Sequence, residues 1–279
     1  MDDGINIRFY KVGRADKSHP MLLTQLEKIF TSGNQAKRTK DANGLKVRLE
    51  RLNAEDRVAV GEFVRLQEVG YPSEVHDDKV LPLSTDRPLG HHVAFAYHKE
   101  KHVLAIEYDL KSLALSRINQ YISQYPPYNS YFFTPLYRRD TWSIVESAGP
   151  KKMTFAIAHP HSLNSISGDH KSLYENISQV ADATGTHIVE VTLSMGQTNG
   201  LLKDAYSFMK DLARRGGSGE FDLRKLKAKV EGQADEINLI DEMLNEKITL
   251  ELPKNDPSKS YNMRVGALKA GLERNADKF

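Results

Sequence analysis

The sequence contains no cysteine among its 279 residues. This absence excludes disulfides, thiolate zinc sites, iron–sulfur clusters and cysteine nucleophiles, and it suits a reducing compartment. No run approaches the roughly 18 consecutive apolar residues that a membrane helix requires. The first residues, MDDGINIRFYKV, have neither the basic n-region nor the apolar h-region of a signal peptide. We therefore expect a cytoplasmic protein that does not insert into a membrane.

Recognisable motifs of catalysis and cofactor binding are also missing. The glycines of ARRGGSGEF follow a predicted helix, whereas a phosphate-binding loop must follow a strand and open a helix. The GxSxG elbow of the hydrolases and the HExxH zinc motif do not occur either. The sequence favours a protein without enzymatic activity, and it predicts no cofactor.

Hydrophobic periodicity indicates both strands and helices. Two alternating runs joined by three polar residues predict a β-hairpin in residues 91–109. Residues 170–183 have a helical period, and we expect Leu173, Ile177 and Val180 on their inner face. Antiparallel strands dominate the first half, and the second half is predicted as β-α-β-α-β. The expected fold class is α+β, with a mixed, mainly antiparallel sheet and flanking helices.

A polar segment that contains prolines, residues 72–88, indicates a soft domain boundary. We expect a β-rich N-terminal region in residues 1–88. Residues 89–279 are then an α+β core region with a basic strand and a C-terminal helix. The alternative is one compact domain over the whole chain.

Positive charge is concentrated in one segment of an otherwise balanced chain. The chain has 39 Lys and Arg against 37 Asp and Glu, whereas residues 200–230 have eight against four. Lys225, Lys227 and Lys229 alternate along a predicted strand, so their ammonium groups lie on one face, ~6.6 Å apart. This spacing approximates the phosphate repeat of a nucleic-acid strand, and phosphate neutralisation drives non-specific binding. The alternative is a solvated face that keeps the protein soluble.

Two arginine pairs could extend such a surface. Arg214 and Arg215 end a predicted helix, where they could contact phosphates or simply complement the helix dipole. Arg138 and Arg139 lie in an aromatic-rich stretch with Trp142. Aromatic side chains interleaved with arginine can stack on bases, although alternating aromatic residues in a strand usually belong to the core.

A histidine pair supports a different hypothesis. His159 and His161 end a predicted strand, and Asp169 follows shortly after. Two imidazoles and a carboxylate can hold a divalent ion, which would make the protein a metal-dependent phosphohydrolase or nuclease. The alternative is that these are loop histidines with capping or hydrogen-bonding roles.

The order of these patterns resembles the RexA-type phage-exclusion proteins of temperate phages and related bacterial and prophage proteins. The shared pattern begins with an RFY-type first strand and continues through LGHHVAF, TPLYRRD, KMTFAIAHP, HIVEVTLSMG and FDLRKLKAKVEG. It covers most of the chain, above all residues 89–244. The chain departs from the family in its N-terminal third and lacks the family's strongly basic tail.

The resemblance implies a cytoplasmic DNA-binding protein, a homodimer that takes part in defence against phage and acts with an effector protein. Carried over by position, the family's basic segment falls on Lys203, Lys210, Lys225, Lys227 and Lys229. A protein-interaction subunit that docks through the helix at residues 261–274 is a further alternative. The predicted nucleic-acid-binding residues are Lys203, Lys210, Arg214, Arg215, Lys225, Lys227, Lys229, Arg138 and Arg139.

Overall fold

The structure, a computed structural model, describes residues 4–14, 16–54, 56–75, 77–83, 85–109, 112–128, 130–138, 140–166, 168–194, 203–253 and 255–279. These residues form helices and antiparallel sheets, which confirms the predicted α+β fold class. The described strands are β1 Gly4–Arg14, β2 Lys40–Asp41, β3 Lys46–Ala54, β4 Val58–Gln67, β5 Ser73–Val75, β6 Val80–Pro82, β7 Leu89–His98, β8 Val103–Glu107, β9 Tyr131–Pro135, β10 Pro150–Ala158, β11 Ile188–Ser194, β12 Asp222–Val230, β13 Ile237–Asn238 and β14 Asn245–Thr249. The described α-helices are α1 Leu22–Thr31, α2 Gln35–Arg38, α3 Leu115–Ser123, α4 Thr141–Ala148, α5 Lys171–Thr184, α6 Lys203–Ser218 and α7 Pro257–Arg274.

The chain divides into two compact units. Unit 1 comprises residues 1–133 with 245–277 and 279, and unit 2 comprises residues 134–244 with 278. The boundary expected at residue 88 therefore lies inside unit 1. The reason is that β4 and β7, which flank the polar segment, pair along their full length in one sheet.

Unit 1 is built on an eight-stranded sheet. Seven strands follow the order β14-β1-β8-β7-β4-β3-β2, and β9 pairs with β1. The hairpin predicted in residues 91–109 is confirmed as β7 and β8, which pair antiparallel. Helices α1 and α3 cover one face, where Leu26 and Tyr121 pack with Phe95 of the sheet. This face forms the larger core of the unit.

Helix α7 packs against β7, β8 and β4 of unit 1. The helix begins at Pro257. The residue before it, Asp256, is the N-cap, and its side chain accepts a hydrogen bond from the Lys259 backbone N–H. Its inward positions include Val265 and Leu268. The helix that one alternative assigned to partner docking, residues 261–274, packs its buried apolar side chains within its own unit. No helix in the described ranges combines the length and apolar character needed to cross a membrane.

The polar segment before β7 is not only a loop, because β5 and β6 form a short separate hairpin. Val75 and Val80 are paired across it, and both are exposed. Two short strands carry little periodicity, which is why the sequence pattern did not indicate them.

Unit 2 has a four-stranded sheet in the order β11-β10-β12-β13. Side chains from α4, α5 and α6 pack on one face against Phe155 and Leu226. On α5, Ile177 is buried as expected, but Leu173 and Val180 are exposed and Tyr174 is buried instead. The Tyr174 ring packs against Phe208 and Phe221 at 5.4 and 5.7 Å. Aromatic packing from other elements sets the rotation of α5.

Candidate nucleic-acid interface

Strand β12 of unit 2 separates apolar from basic side chains. Leu226, Ala228 and Val230 are buried in the core beneath the helices. Lys225, Lys227 and Lys229 alternate with them and are partly exposed on the opposite face. The predicted placement of these three lysines on one face is confirmed. Arg224 is exposed, because the β10–β12 register shifts next to it.

A fourth lysine joins this row from the neighbouring strand. Lys152 of β10 is directly opposite Lys229 in the antiparallel register, and Thr154 is opposite Lys227. Residues directly opposite each other in an antiparallel pair point to the same face. We call Lys152, Lys225, Lys227 and Lys229 the lysine face. The sequence prediction missed Lys152 because strand register is not visible in local periodicity.

Two glutamates partly neutralise the lysine face. Lys225 Nζ lies 2.6 Å from the Glu190 carboxylate of β11, and the pair reaches across Ala156, which is opposite both residues. Lys152 Nζ lies 3.0 Å from the carboxylate of Glu236. Such partly exposed pairs are worth at most about 1 kcal/mol, so either lysine can exchange its glutamate for another anion at small cost. Within the described part of unit 2, the four ammonium groups of the lysine face thus pair with two glutamates, and Asp222 at the end of this face pairs with Arg224.

The pKa of the Glu236 carboxyl reflects the positive charge of the lysine face. Its pKa is lowered, first by the hydrogen bond from Lys152 and further by the charges of Lys152, Lys227 and Lys229. Lys229 itself donates a hydrogen bond to the backbone carbonyl of Ala234. Three of the four lysines, Lys152, Lys227 and Lys229, therefore lower the pKa of the same carboxyl.

Hydroxyl groups accompany the lysines. Thr154 and Thr192 face each other across β10 and β11, with their Oγ1 atoms 3.1 Å apart, and Ser194 is opposite Lys152. Hydroxyl and ammonium groups are typical donors to phosphate oxygens. Among the described strand residues on this face, none is aromatic. The face can contact a phosphate backbone, and it offers no ring on which a base could stack.

The predicted cations of α6 belong to the other layer of unit 2. Helix α6 packs its apolar side on the sheet face that carries Leu226. Lys210 lies 4.5 Å from the centre of the Tyr206 ring and 3.9 Å from the Glu146 carboxylate. The side chain of Lys203 lies outside the described part of the chain. The structure does not bring Lys210 together with the lysine face.

Arg214 and Arg215 form ion pairs at the end of α6. Arg214 Nη2 lies 2.6 Å from Asp211 Oδ1, and Arg215 lies 2.9 Å from Asp211 and 2.7 Å from Glu220. Burial would raise the pKa of Asp211, but the hydrogen bond from Arg214 and the charges of both arginines hold it below its usual value. Tyr174 donates a further hydrogen bond to Asp211. Two carboxylates balance two guanidinium groups here.

The arginine and aromatic residues of the stretch that leads into α4 have different environments. Arg138 is exposed, and its backbone N–H donates to the Glu242 carbonyl at 2.9 Å. Arg139 lies outside the described residues. The Trp142 ring packs edge-on against Tyr137 and Tyr206 at 5.6 and 5.9 Å. These rings pack against the core of unit 2, which agrees with the alternative that the aromatic residues of this stretch belong to the core.

The histidine pair lies at the end of β10. His159 has a left-handed backbone (φ 51°) and its ring lies 6.0 Å from that of His187. Asp169 is exposed, and the side chain of His161 is outside the described part of the molecule. Within the described residues, no group of three His, Asp or Glu side chains is arranged to hold a metal ion. The set of His159, His161 and Asp169 stays a prediction.

Unit 1 contains a buried ionic network that the sequence prediction missed. Arg264 of α7 donates to Glu107 of β8 at 2.8 Å and to Glu62 of β4. His92 Nδ1 lies 3.1 Å from the Glu62 carboxylate, and Arg51 Nε lies 3.6 Å from it. The backbone N–H of Ala94 also donates to Glu107 at 2.6 Å. No local motif signals this site, because its members come from five elements.

The two buried glutamates differ in their pKa. Burial would raise the pKa of Glu62, but the hydrogen bond from His92 and the charges of His92 and Arg264 lower it below its ordinary value. Burial raises the pKa of Glu107, and the charge of Arg264 and the Ala94 hydrogen bond only partly offset this. Hydrogen bonds and nearby positive charges therefore compensate the burial of Glu62 better than that of Glu107.

Comparison with known proteins gives one family match. A family model described as "Family of unknown function (DUF6731)" matches residues 11–278. The comparison with curated proteins found no match. The match covers β12 and the lysine face as well as the ionic network of unit 1.

Proposed function

Since the chain belongs to the DUF6731 family, whose function is unknown, we propose that it is a non-enzymatic protein that binds the phosphate backbone of nucleic acid through the lysine face. The observation that carries this proposal is the alignment of four lysines on two adjacent strands, opposite the helical layer of unit 2.

The chemistry of the lysine face supports backbone contact rather than base reading. Its ammonium groups neutralise phosphates, and the counterions that they release drive binding. The exposed hydroxyl of Thr192, which hydrogen-bonds to that of the buried Thr154, can add a neutral donor. The described strand residues of this face include no aromatic ring on which a base could stack, and contacts to phosphate carry no sequence information. We expect binding that is steeply salt-dependent and tolerant of sequence.

The resemblance to RexA-type proteins supports the biological setting of the proposal. It favours DNA as the ligand, a cytoplasmic location and a homodimer that places two lysine faces on one DNA molecule. It also favours a role as a sensor in phage defence, with an effector protein as a further partner. Lys210, Arg214 and Arg215 are not part of the proposed surface, because they belong to α6, which packs on the opposite face of the sheet.

The test measures the affinity for a labelled DNA duplex at several salt concentrations. In the variant Lys225/Lys227/Lys229→Gln we expect the slope of log K against log salt to become shallower by about 0.9 for each lost phosphate contact. The control variant Lys17/Lys28/Lys79→Gln removes the same charge from exposed positions of unit 1. We expect this control to keep the wild-type slope.

Three results would decide against the lysine face. Absence of binding at low salt would remove the proposal and favour the interaction-subunit alternative. An equal change of slope in the control variant would mean that net charge alone drives binding. Degradation of the duplex that depends on added magnesium would favour the alternative site of His159, His161 and Asp169.

A further inference from the structure

The loop between β12 and β13, residues 231–236, is held against the lysine face of unit 2. Its sequence, EGQADE, contains three carboxylate side chains. Lys229 donates a hydrogen bond to the Ala234 backbone carbonyl, and Lys152 Nζ lies 3.0 Å from the Glu236 carboxylate. Two lysines of the face thus bind this segment, which we call the acidic loop.

Strand alternation places the Glu236 side chain on the same face as the lysines. Glu236 directly precedes β13, where Ile237 is opposite Ala228 of β12. Ile237 is buried in the core beneath the helices, so the residue before it points to the opposite face of the sheet. Extending the same register by one residue places Glu236 beside Lys229. Because Lys152 is opposite Lys229 on the other side, the three residues form one row across the sheet.

Three ammonium groups act on the Glu236 carboxylate. The hydrogen bond and the charge of Lys152 lower its pKa most, and the charges of Lys227 and Lys229 lower it further. None of these four side chains is buried, so a ligand can reach the carboxylate and its lysines from solvent. Carboxylates and phosphates both offer anionic oxygens to ammonium donors. The Glu236 carboxylate therefore lies where the lysine face would bind a phosphate.

We propose, on the premise of the function stated above, that Lys152, Lys227 and Lys229 form one phosphate subsite of the lysine face. The Glu236 carboxylate fills this subsite in the free protein, and a backbone phosphate has to displace it. The acidic loop is thus an internal competitor of nucleic acid. It limits the affinity without abolishing binding, because a partly exposed ion pair is worth at most about fivefold in an equilibrium constant.

The competition also selects for a polyanion over a single phosphate group. A nucleic acid contacts several lysines at once, so its other contacts raise the local concentration of the phosphate that competes with Glu236. A free phosphate ion has no such help and gains little by replacing one anion with another. The subsite therefore opens chiefly to a phosphate that is part of a chain.

Titration of a labelled DNA duplex with wild type and with Glu236→Gln tests the competition. Glutamine keeps the size of the side chain and removes its charge, so we expect binding to tighten by about three- to fivefold. Glu175→Gln is the matched control, because Glu175 pairs with Lys171 at 3.4 Å on α5, in the helical layer of unit 2. We expect the control to bind like wild type, since the Debye length is only about 10 Å at about 0.1 M salt.

A second background separates competition for the subsite from simple repulsion between Glu236 and the DNA. Lys152→Gln removes the lysine that binds the carboxylate directly. If Glu236 acts by occupying that lysine, adding Glu236→Gln to this background should tighten binding by less than about twofold. A gain as large as in the wild-type background would mean that the carboxylate acts by repulsion, and it would overturn the subsite.

Failure of the subsite and failure of the proposed function give different results. If wild type binds the duplex and Glu236→Gln binds it no more tightly, the lysine face stands and the competition by Glu236 is wrong. An equal gain in Glu175→Gln would also overturn the competition, because net charge would then explain both variants. If neither wild type nor Glu236→Gln binds at low salt, both proposals fail. Binding by Glu236→Gln alone would support the competition.

Discussion

Arg264 connects residues that are far apart in the chain. Its guanidinium binds Glu107 and Glu62, which lie 157 and 202 positions before it. All three side chains are at least nine-tenths buried. A buried charge without a partner costs several kcal/mol, whereas an intact pair contributes little. The network therefore matters for stability chiefly through what its disruption would leave behind.

Substitution of Arg264→Leu should lower the free energy of unfolding by about 3–5 kcal/mol, because two buried carboxylates lose their cation. Without Arg264 the folded-state pKa of Glu107, already raised by burial, rises further, and that of Glu62 rises less, because Glu62 keeps His92. The contribution of Glu107 is then present at low pH and lost as pH rises. In urea unfolding, the loss of free energy of unfolding relative to wild type should therefore be smaller at pH 5 than at pH 7.5.

Arg274→Leu is the matched control on the same helix. Arg274 pairs with Glu246, but its side chain is 52% exposed. We expect a loss of at most about 1 kcal/mol. If both variants lost the same small amount, the network of Glu62, Glu107 and Arg264 would not be a buried ionic site.

At the residue scale, the sequence predicted what depends on local alternation and missed what depends on distant contacts. Lys225, Lys227 and Lys229 were placed on one face correctly, since alternation in a strand dictates it. Lys152 was missed because it joins the lysine face through strand register. Arg264 was missed because nothing near it in sequence marks a helical arginine as buried.

At the element scale, two glycines of unit 1 differ in the space around them. Gly61 lies in the middle of β4, and an added Cβ would be 2.6 Å from the Arg51 carbonyl oxygen and 2.5 Å from the Phe95 ring. A backbone atom cannot move aside as a flexible side chain can. Gly266 lies in α7, and an added Cβ there would meet nothing within 4 Å.

The same substitution should therefore have opposite effects at the two positions. Gly61→Ala should destabilise by about 1–3 kcal/mol or more through overpacking. Gly266→Ala should stabilise by about 0.5–1 kcal/mol, because alanine is the better helix former. Thermal unfolding of both variants measures this difference. Stabilisation by Gly61→Ala would show that β3 and β4 are not packed as described.

Element types could be predicted from the sequence more readily than their rotation. The β7–β8 hairpin and the helix at α5 were both expected. On the inner face of α5 only Ile177 was expected correctly, because the aromatic contacts of Tyr174 set a rotation that leaves Leu173 and Val180 exposed. Two faces of α5 are apolar enough to be buried, and tertiary packing selects between them.

At the scale of the whole molecule, the chain leaves unit 1 after Phe133 and returns to it at Asn245. Each unit has its own hydrophobic core. Proline and polar residues around position 88 suggested a division there, yet β4 and β7 pair across that segment. Local composition could not reveal the division because the strands on either side of the segment are partners in space.

The single tryptophan allows the stability of the two cores to be separated. Trp142 belongs to unit 2, where it packs against Tyr137 and Tyr206. Leu212→Ala removes a fully buried side chain from unit 2, and Leu26→Ala removes one from unit 1. Each should cost about 2–5 kcal/mol in its own unit.

If the units unfold separately, Leu212→Ala should lower the urea midpoint of tryptophan fluorescence and Leu26→Ala should leave it unchanged. Leu26→Ala should instead lower the urea midpoint of a transition seen by far-UV circular dichroism, a signal to which unit 1 contributes. Equal shifts of both signals in both variants would mean that the chain unfolds as one cooperative unit. The two cores would then have to be energetically coupled, and the lysine face could not be treated as the property of an independent unit 2.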